Sequence, residues 1–149
     1  MLSIIIPVFN EAENLPTLLE KLEEVLVVAD QFGSPTYAGH IANALLELTS
    51  QYRTQNKLPW GTYNFCDSGI TTWHMFAVKI MELGVRNGLL KDCPTVRPIR
   101  TDEFPTSASR PAYSTLDCKL FLATFPWIGI SSWELGLDEM IAALATRET

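Results

Sequence analysis

The stretch VVADQFGSPTYAGHIANALLE, residues 27–47, decides the expected fold of this 149-residue chain. Its apolar start predicts a strand over 27–31. After the Gly-Ser-Pro turn, the spacing of apolar side chains predicts a helix to about residue 51, capped by Ser34 or Thr36. The buried face of that helix is expected to carry Ile41, Ala44, Leu45 and Leu48. A helix N-terminus behind such a turn can hold a polar or anionic ligand, although a plain capped turn is the simpler explanation.

The rest of the sequence alternates between strand and helix patterns. Strands are expected at 3–9, 61–66 and 95–101, and loops at 51–60 and 102–113. Helices are expected at 10–26 with an N-cap at Asn14, within 67–88, and at 114–121 and 131–145, where capping-box patterns begin at Ser114 and Ser131. This alternation predicts the α/β class, with a small mixed or parallel sheet flanked by helices.

Composition limits the function classes. The chain is 47 % apolar and 19 % charged, as in ordinary globular domains, and its net charge of −6 with scattered basic residues argues against a nucleic-acid partner. No apolar run is long enough to span a membrane, and the first residues lack the basic region of a signal peptide. The three cysteines are widely spaced without a CxxC pair, which favours reduced thiols in a cytoplasmic protein over a zinc or redox motif.

Motifs that carry catalysis are missing from the sequence. No Gly-rich dinucleotide turn follows the first expected strand, and no P-loop occurs. None of the four tyrosines has a lysine four residues later, which is the pair used by short-chain-type reductases. His40 and His74 have no cysteine or histidine at ligand spacing, so both are expected at the surface or the core edge. We therefore assign no catalytic residue and no metal site.

One cation stands out in the loop before the expected helix at 114–121. Arg110 lies in the sequence SRPAYSTLD, where its guanidinium could bind a phosphate through two hydrogen bonds. A solvated arginine is the commoner arrangement in such a loop. The residues alone leave both interpretations open.

Residues 2–26 resemble the opening of inverting glycosyltransferases of the GT-A type. The match is the run Pro7, Val8, Phe9, Asn10 and Glu11 at the end of an apolar strand. The resemblance implies that Pro7, Asn10 and Glu11 contact a nucleotide. In that family a second strand ends in Asp-Asp-Gly-Ser and an Asp-x-Asp follows; VVADQFGS imitates the first poorly, and no Asp-x-Asp occurs.

Residues 27–149 resemble the C-terminal, substrate-binding part of the dTDP-4-dehydrorhamnose reductases, a family of extended short-chain dehydrogenases. The matching stretches are VVADQFGSPTYAGHIANALLEL, WGTYNFCDSGITTWHMFAVKI, VRPIRTDEFPTSASRPAYSTLD and WELGLDEMI. The resemblance implies a nucleotide-sugar pocket lined by Gln31, Gly33, Ser34, Pro35, Thr36, Arg110 and Pro111. It also implies an incomplete Rossmann-type reductase whose NADPH site and catalytic Tyr and Lys lie in the other half of the family's fold, so no bound cofactor is expected here.

Together the two resemblances predict a chimera with a seam near Leu26 and Val27. Residues 1–26 and 27–149 are expected to form one compact domain that self-associates as a homodimer. Three functions remain open: a catalytically inactive reductase relative with weak affinity for a dTDP-sugar, a binding module that partners a complete reductase, and a glycosyltransferase.

Overall fold

A computed structural model describes residues 24–104, 106 and 108–146 of the chain. Its strands are β1 (Glu24–Val28), β2 (Phe32–Gly33), β3 (Thr71–Thr72) and β4 (Thr95–Ile99). Its helices are α1 (Ala38–Gln55), α2 (Trp73–Arg86), α3 (Lys119–Thr124) and α4 (Trp133–Ala145), with a 3-10 turn at Thr101–Glu103. Strands and helices alternate along the chain, and the expected α/β class is confirmed.

The main sheet joins β1 to β4 in parallel, from Glu24 opposite Thr95 to Val28 opposite Ile99. Parallel pairing requires a long crossover, and α2, which lies within that crossover, packs on both strands. Beyond the sheet, the Asp30 carboxylate accepts hydrogen bonds from the backbone N–H and the hydroxyl of Thr101, at 3.0 and 2.6 Å. These bonds lower the pKa of Asp30 and hold the carboxyl ends of the two strands together.

A second, shorter ladder positions the polar turn. Phe32 and Gly33 pair antiparallel with Thr72 and Thr71. On the other side, the Phe32 N–H donates to the Ala112 carbonyl at 2.8 Å, and the Ser114 N–H donates to the Phe32 carbonyl at 2.9 Å. Three segments distant in sequence therefore meet at residues 32–33.

Two apolar clusters support this arrangement. The first joins α1 to α3 and the segment after it through Ala44, Phe121, Phe125 and Ile128. The second joins α2 to α4 through Leu83, Trp133, Leu137 and Ile141. The first cluster also holds the segment 61–72, because Tyr63 and Phe65 of that segment pack against it.

The N-terminal boundaries differ from expectation. β1 begins at Glu24 and ends at Val28, so the predicted strand over 27–31 is placed too late, and the predicted helix over 10–26 is wrong for its last three residues. The run Glu24–Val28 has helical spacing relative to the leucines before it, but its valines pair with β4, and tertiary pairing overrides the local pattern. The strand at 3–9, the N-cap at Asn14 and the rest of 10–26 lie outside the described residues.

Helix α1 is longer and more exposed than predicted. It continues to Gln55 and is capped by the left-handed residue Asn56, so the first five residues of the loop predicted over 51–60 are helical. Of the four side chains expected on its buried face, only Ala44 is buried, and Leu45 is 58 % exposed. The apolar stripe of α1 is therefore only partly covered by the described residues.

Later predictions met mixed outcomes. α2 and β4 lie within their expected ranges. The strand predicted at 61–66 is wrong: these residues are held by side-chain packing of Tyr63 and Phe65 on Phe121 rather than by a partner strand. α3 starts at Lys119, because the Ser114 hydroxyl donates to the Phe32 carbonyl instead of capping a helix. α4 begins at Trp133 and is capped by Ser132, one residue after the predicted Ser131.

Candidate functional site

A cavity of about 260 Å³ lies where β2, β3 and the 114–116 segment meet. Its polar lining consists of hydroxyl side chains: Ser34, Thr36, Thr71, Thr72 and Ser114. Its apolar lining is Ile41, Phe65, Trp73 and Leu116, with the Cys66 thiol beside them. No charged side chain from the described part of the chain lines it.

Both serine hydroxyls of the cavity already donate their hydrogens to carbonyl groups of the protein. Ser34 donates to the Gly69 carbonyl at 2.8 Å, and Ser114 donates to the Phe32 carbonyl at 3.0 Å. Since a hydroxyl has two lone pairs and one hydrogen, both oxygens keep acceptor capacity. The cavity therefore suits a ligand that brings donors, such as sugar hydroxyls or the N–H of a base.

An aromatic ring forms one wall of the cavity. Trp73 is the first residue of α2 and its side chain is half-exposed, at 51 %. The Thr72 hydroxyl caps the same helix by accepting from the Met75 N–H at 3.1 Å, which fixes where α2 begins. A half-exposed indole at a cavity mouth offers a flat surface for a sugar ring or a base.

The N-terminus of α1 is occupied by the chain's own carboxylate. The Tyr37 N–H donates to Oδ2 of Asp67 at 3.0 Å, while neither Ser34 nor Thr36 caps the helix. The predicted cap is therefore wrong, and Thr36 instead accepts from the Asp67 N–H at 3.2 Å. A buried carboxylate already accepts from the N-cap residue Tyr37, so that amide is not available for the anion-binding role that the sequence allowed for this corner.

His40 completes a buried ionic cluster with Asp67. Its Nδ1 lies 2.9 Å from Asp67 Oδ2, and its Nε2 lies 3.2 Å from Glu139 Oε2 on α4. Burial opposes protonation, but the Asp67 hydrogen bond and charge and then Glu139 outweigh it, and together they raise the pKa of His40. This histidine contacts a carboxylate at each ring nitrogen and so links α1 to Asp67 and to α4.

A glycine allows α4 to approach this cluster. A Cβ added at Gly136 would lie 2.9 Å from Asp67 Oδ2 and 3.2 Å from His40 Cε1. Position 136 therefore has no room for a side chain without displacing the ionic pair.

The structure brings some predicted site residues together and separates others. Gly33, Ser34, Pro35 and Thr36 all line the cavity. Gln31 is buried outside the cavity lining, and its side-chain amide donates to the Thr101 hydroxyl at 3.1 Å.

The remaining predicted residues lie elsewhere. Arg110 and Pro111 are exposed and are not part of the cavity lining, although Ala112 directly after them bonds to Phe32. Pro7, Asn10 and Glu11 lie outside the described residues.

Sequence reasoning missed the second half of the site. None of its residues was predicted as a site residue: Thr71, Thr72 and Trp73 fall in the range 67–88 predicted to hold a helix, Phe65 in the predicted strand 61–66, and Leu116 in the predicted helix 114–121. One signal was available: a threonine before an apolar helix is a typical N-cap, and a tryptophan directly after it has to lie at that helix end. Nothing in the sequence placed that end beside residue 33, because the β2–β3 pairing joins segments almost forty residues apart.

The described residues form neither a metal site nor a membrane-spanning helix. No group of three or more histidine, cysteine, aspartate or glutamate side chains in this part of the chain is arranged to hold a metal ion. Within the same residues, no helix has the length and apolar character needed to cross a membrane.

Known proteins were compared with the whole sequence. The profile of the RmlD substrate binding domain matches residues 9–146. The dTDP-4-dehydrorhamnose reductase of Aggregatibacter actinomycetemcomitans is 35 % identical over 125 residues, covering 83 % of this chain and 42 % of that protein. The dTDP-4-dehydrorhamnose reductase of Burkholderia thailandensis is 35 % identical over 143 residues, covering 93 % of this chain and 48 % of that protein.

Solved structures of reductases share the fold. The dTDP-4-dehydrorhamnose reductase from Clostridium acetobutylicum superposes with a TM-score of 0.72 at 29 % identity, over 94 % of this chain and 45 % of that one. The enzyme from Bacillus anthracis, solved in complex with NADP, gives a TM-score of 0.65 at 30 % identity, over 88 % of this chain and 41 % of that one. The chain thus spans less than half the length of these relatives.

The matched region also bears on the expected seam. It begins at residue 9, crosses residues 26–27 without a break, and includes most of the segment that resembled a glycosyltransferase. The comparisons give no support to a separate glycosyltransferase unit or to a chimera.

Proposed function

This chain belongs to the family of the RmlD substrate binding domain, and from that premise we propose that it is the nucleotide-sugar-binding portion of a dTDP-4-dehydrorhamnose reductase. The proposed ligand is dTDP-4-dehydrorhamnose or the reduced dTDP-sugar, in the synthesis of dTDP-rhamnose. The observation that carries the proposal is the hydroxyl-lined cavity with its tryptophan wall, built around the Gly33–Thr36 turn.

The size of the cavity fits part of such a ligand. At about 260 Å³ it falls just below the roughly 300–1,000 Å³ of complete small-molecule sites, so it suits one ring of a nucleotide sugar. The acceptor oxygens of Ser34 and Ser114 match the hydroxyls of a deoxy-sugar, and Trp73 offers a stacking face. The diphosphate then lies outside the cavity, where Arg110 on the neighbouring loop supplies a cation.

The residues described here do not fit the dinucleotide cofactor of the resembled family. A dinucleotide pyrophosphate binds at a Gly-rich turn and at the free N-terminus of the helix after the first strand. Among the described residues no Gly-rich turn opens a helix, and the Tyr37 N–H at the start of α1 is already bonded to the Asp67 carboxylate. We therefore derive no hydride-transfer step from this chain, and we propose that it binds a nucleotide sugar without reducing it.

Incubation of the chain with NADPH and dTDP-4-dehydrorhamnose tests the lack of reduction. We expect the nicotinamide absorbance to stay constant, because hydride transfer needs a held cofactor and a positioned proton donor. Turnover that a substitution in this chain abolishes would contradict this part of the proposal.

Calorimetry with dTDP-rhamnose tests ligand binding. Trp73→Ala removes the cavity wall and is expected to weaken binding about tenfold, the effect of losing one stacked ring. The matched control is Trp60→Ala, since Trp60 is also exposed, at 80 %, but lies outside this cavity. We expect its affinity to stay within about twofold of wild type; equal losses in both variants, or no binding by the wild type, would refute the proposed site.

A second function, an interaction module, is favoured by the exposed apolar side chains. The more than half-exposed apolar side chains include Leu45 and Leu46 of α1, Trp60 of the loop after it, and Leu120 of α3. Clustered exposed apolar side chains commonly mark interfaces. We propose that the chain self-associates, with a two-fold dimer as the expected form.

The third alternative function depends on the first residues of the chain. An active glycosyltransferase is the weakest of the three alternatives, because it depends on the Pro7–Glu11 run and the sequence lacks an Asp-x-Asp; absence of manganese-dependent sugar transfer would rule it out.

We propose a cytoplasmic location because Cys66, Cys93 and Cys118 are free thiols, as is usual in reducing compartments.

A further inference from the structure

Two cysteines that are far apart in sequence meet beside the cavity. The sulfur atoms of Cys66 and Cys118, 52 residues apart, lie 3.3 Å from each other. Cys66 is buried and lines the cavity, Cys118 is partly exposed, and the third cysteine, Cys93, is exposed. The wide spacing hid this pair from sequence reasoning, since only the fold brings the two thiols together.

Side-chain contacts hold the two segments that carry the pair next to each other. The Asn64 amide donates to the Asp117 carbonyl at 3.3 Å, and the Cys66 thiol faces the Leu116 carbonyl at 3.8 Å. The segments 64–66 and 116–118 therefore run side by side. A disulfide bond is about 2.05 Å long, so the two sulfurs need to approach by only about 1 Å to form one.

We propose that Cys66 and Cys118 are a dithiol modification site that is oxidised to an intramolecular disulfide by small disulfides such as oxidised glutathione. Cys66 lines the cavity but is not one of the ligand contacts proposed above, and the inference does not rest on the proposed function. It depends only on the contact between the two thiols of the adjacent segments 64–66 and 116–118.

The chemistry balances as thiol–disulfide exchange. The Cys118 thiolate attacks one sulfur of oxidised glutathione, forming a mixed disulfide and releasing one glutathione thiolate. The Cys66 thiolate then attacks the Cys118 sulfur, which forms the Cys66–Cys118 bond and releases the second glutathione thiolate. The cysteines lose two electrons and two protons, and the oxidant leaves as two molecules of reduced glutathione.

The order of the two attacks follows from exposure. Cys118 is reached by solvent, whereas Cys66 is buried. Burial, followed by the neighbouring Cys118 thiol, raises the pKa of the Cys66 thiol, so it is the less reactive partner toward an external reagent. Cys66 is placed to act second, because its target sulfur is already 3.3 Å away.

The bond would tie the cavity wall to α3. Cys66 and Leu116 both line the cavity, and Cys118 directly precedes α3. α3 carries Phe121, whose ring packs 5.0 Å from that of Phe65. Oxidation would therefore fix the relative positions of these two walls without adding a group to the cavity.

Oxidation of the full chain followed by mass spectrometry of its tryptic fragments tests the proposal. After treatment with millimolar oxidised glutathione under native conditions and blocking of free thiols, we expect the tryptic fragments 58–79 and 101–119 to be joined. Cys93 should instead carry glutathione. The oxidised chain should melt roughly 5–15 °C higher than the reduced chain, because the bond closes a loop of more than fifty residues.

Two variants serve as controls. Cys93→Ser should leave the 58–79 to 101–119 link and the rise in melting temperature unchanged. Cys118→Ser, at a partly exposed position, should abolish both while the reduced protein keeps the wild-type melting temperature. Glutathione on both Cys66 and Cys118 with no link between them, or a Cys118 that reacts while Cys66 stays a free thiol, would overturn the inference.

Discussion

Replacing Asp67 with alanine should destabilise the chain more than any surface substitution. The Asp67 side chain is fully buried, and its carboxylate accepts from the Tyr37 N–H at 3.0 Å and from His40 Nδ1 at 2.9 Å. Each hydrogen bond to a charged group contributes about 1.5–3 kcal/mol. Removing the carboxylate also leaves the imidazole and the amide buried without their partner, so the expected loss is about 3–5 kcal/mol of the free energy of unfolding.

That loss is large against total stability. Small domains unfold with about 5–15 kcal/mol, so Asp67→Ala should remove about a fifth or more of the free energy of unfolding. Asp67→Asn separates charge from shape, because its amide oxygen can still accept from Tyr37 while the negative charge facing His40 is gone. We expect its loss to be smaller than that of Asp67→Ala.

Urea denaturation followed by tryptophan fluorescence measures the effect, since Trp133 is buried in the α2–α4 cluster and reports its opening. The matched control is Asp138→Ala, which breaks the exposed ion pair of Asp138 with Arg86 and should cost only about 0–1 kcal/mol. A free energy of unfolding for Asp67→Ala within about 1 kcal/mol of that of Asp138→Ala would refute the reasoning.

Three further predictions concern pH, ligand binding and assembly. Because the pKa of His40 is raised in the folded state, protonated His40 stabilises the fold fully below its unfolded pKa of about 6.5, and this contribution is lost as pH rises through the folded pKa. The free energy of unfolding of the wild type should therefore fall over that pH interval. A His40→Gln variant whose free energy of unfolding falls just as steeply with pH would contradict this. Arg110→Ala should weaken dTDP binding by about 1–3 kcal/mol in calorimetry, whereas Arg53→Ala, near the C-terminal end of α1, should leave the affinity unchanged. Equal affinity of the wild type and Arg110→Ala would show that Arg110 does not bind the ligand. Light scattering at micromolar concentration should give a mass above the 16.7 kDa of one chain, and a mass that stays at that value on concentrating would show that the exposed leucines and Trp60 are not an interface.

The sequence was sufficient for the elements whose signals are local. The apolar spacing from Trp73 to Arg86 and the serine-capped run from Trp133 both predicted helices that the structure contains. The Gly33–Thr36 turn also lines the cavity, and its contact with a ligand stays a prediction. These patterns depend on neighbours three or four residues away, which a single sequence displays.

Long-range contacts account for what the sequence did not predict. Asp67 and Tyr37 are 30 residues apart, and no local pattern indicates that a carboxylate would take the N-terminus of α1. Val25 lies on a strand because β4 pairs with it, although its spacing from the preceding leucines is helical. Ser114 has the capping-box pattern, but the Phe32 carbonyl is a competing acceptor that the sequence does not reveal.

The central claim, that this chain binds a dTDP-sugar in the cavity around Gly33–Thr36, is tested most directly by NMR. Backbone amide shifts of the full chain should be followed during titration with dTDP-rhamnose. We expect saturable shifts to cluster at residues 33–36, 71–73 and 114–116, with no comparable shifts around Trp60. An absence of saturable shifts, or a cluster of shifts at Trp60 instead, would contradict the claim.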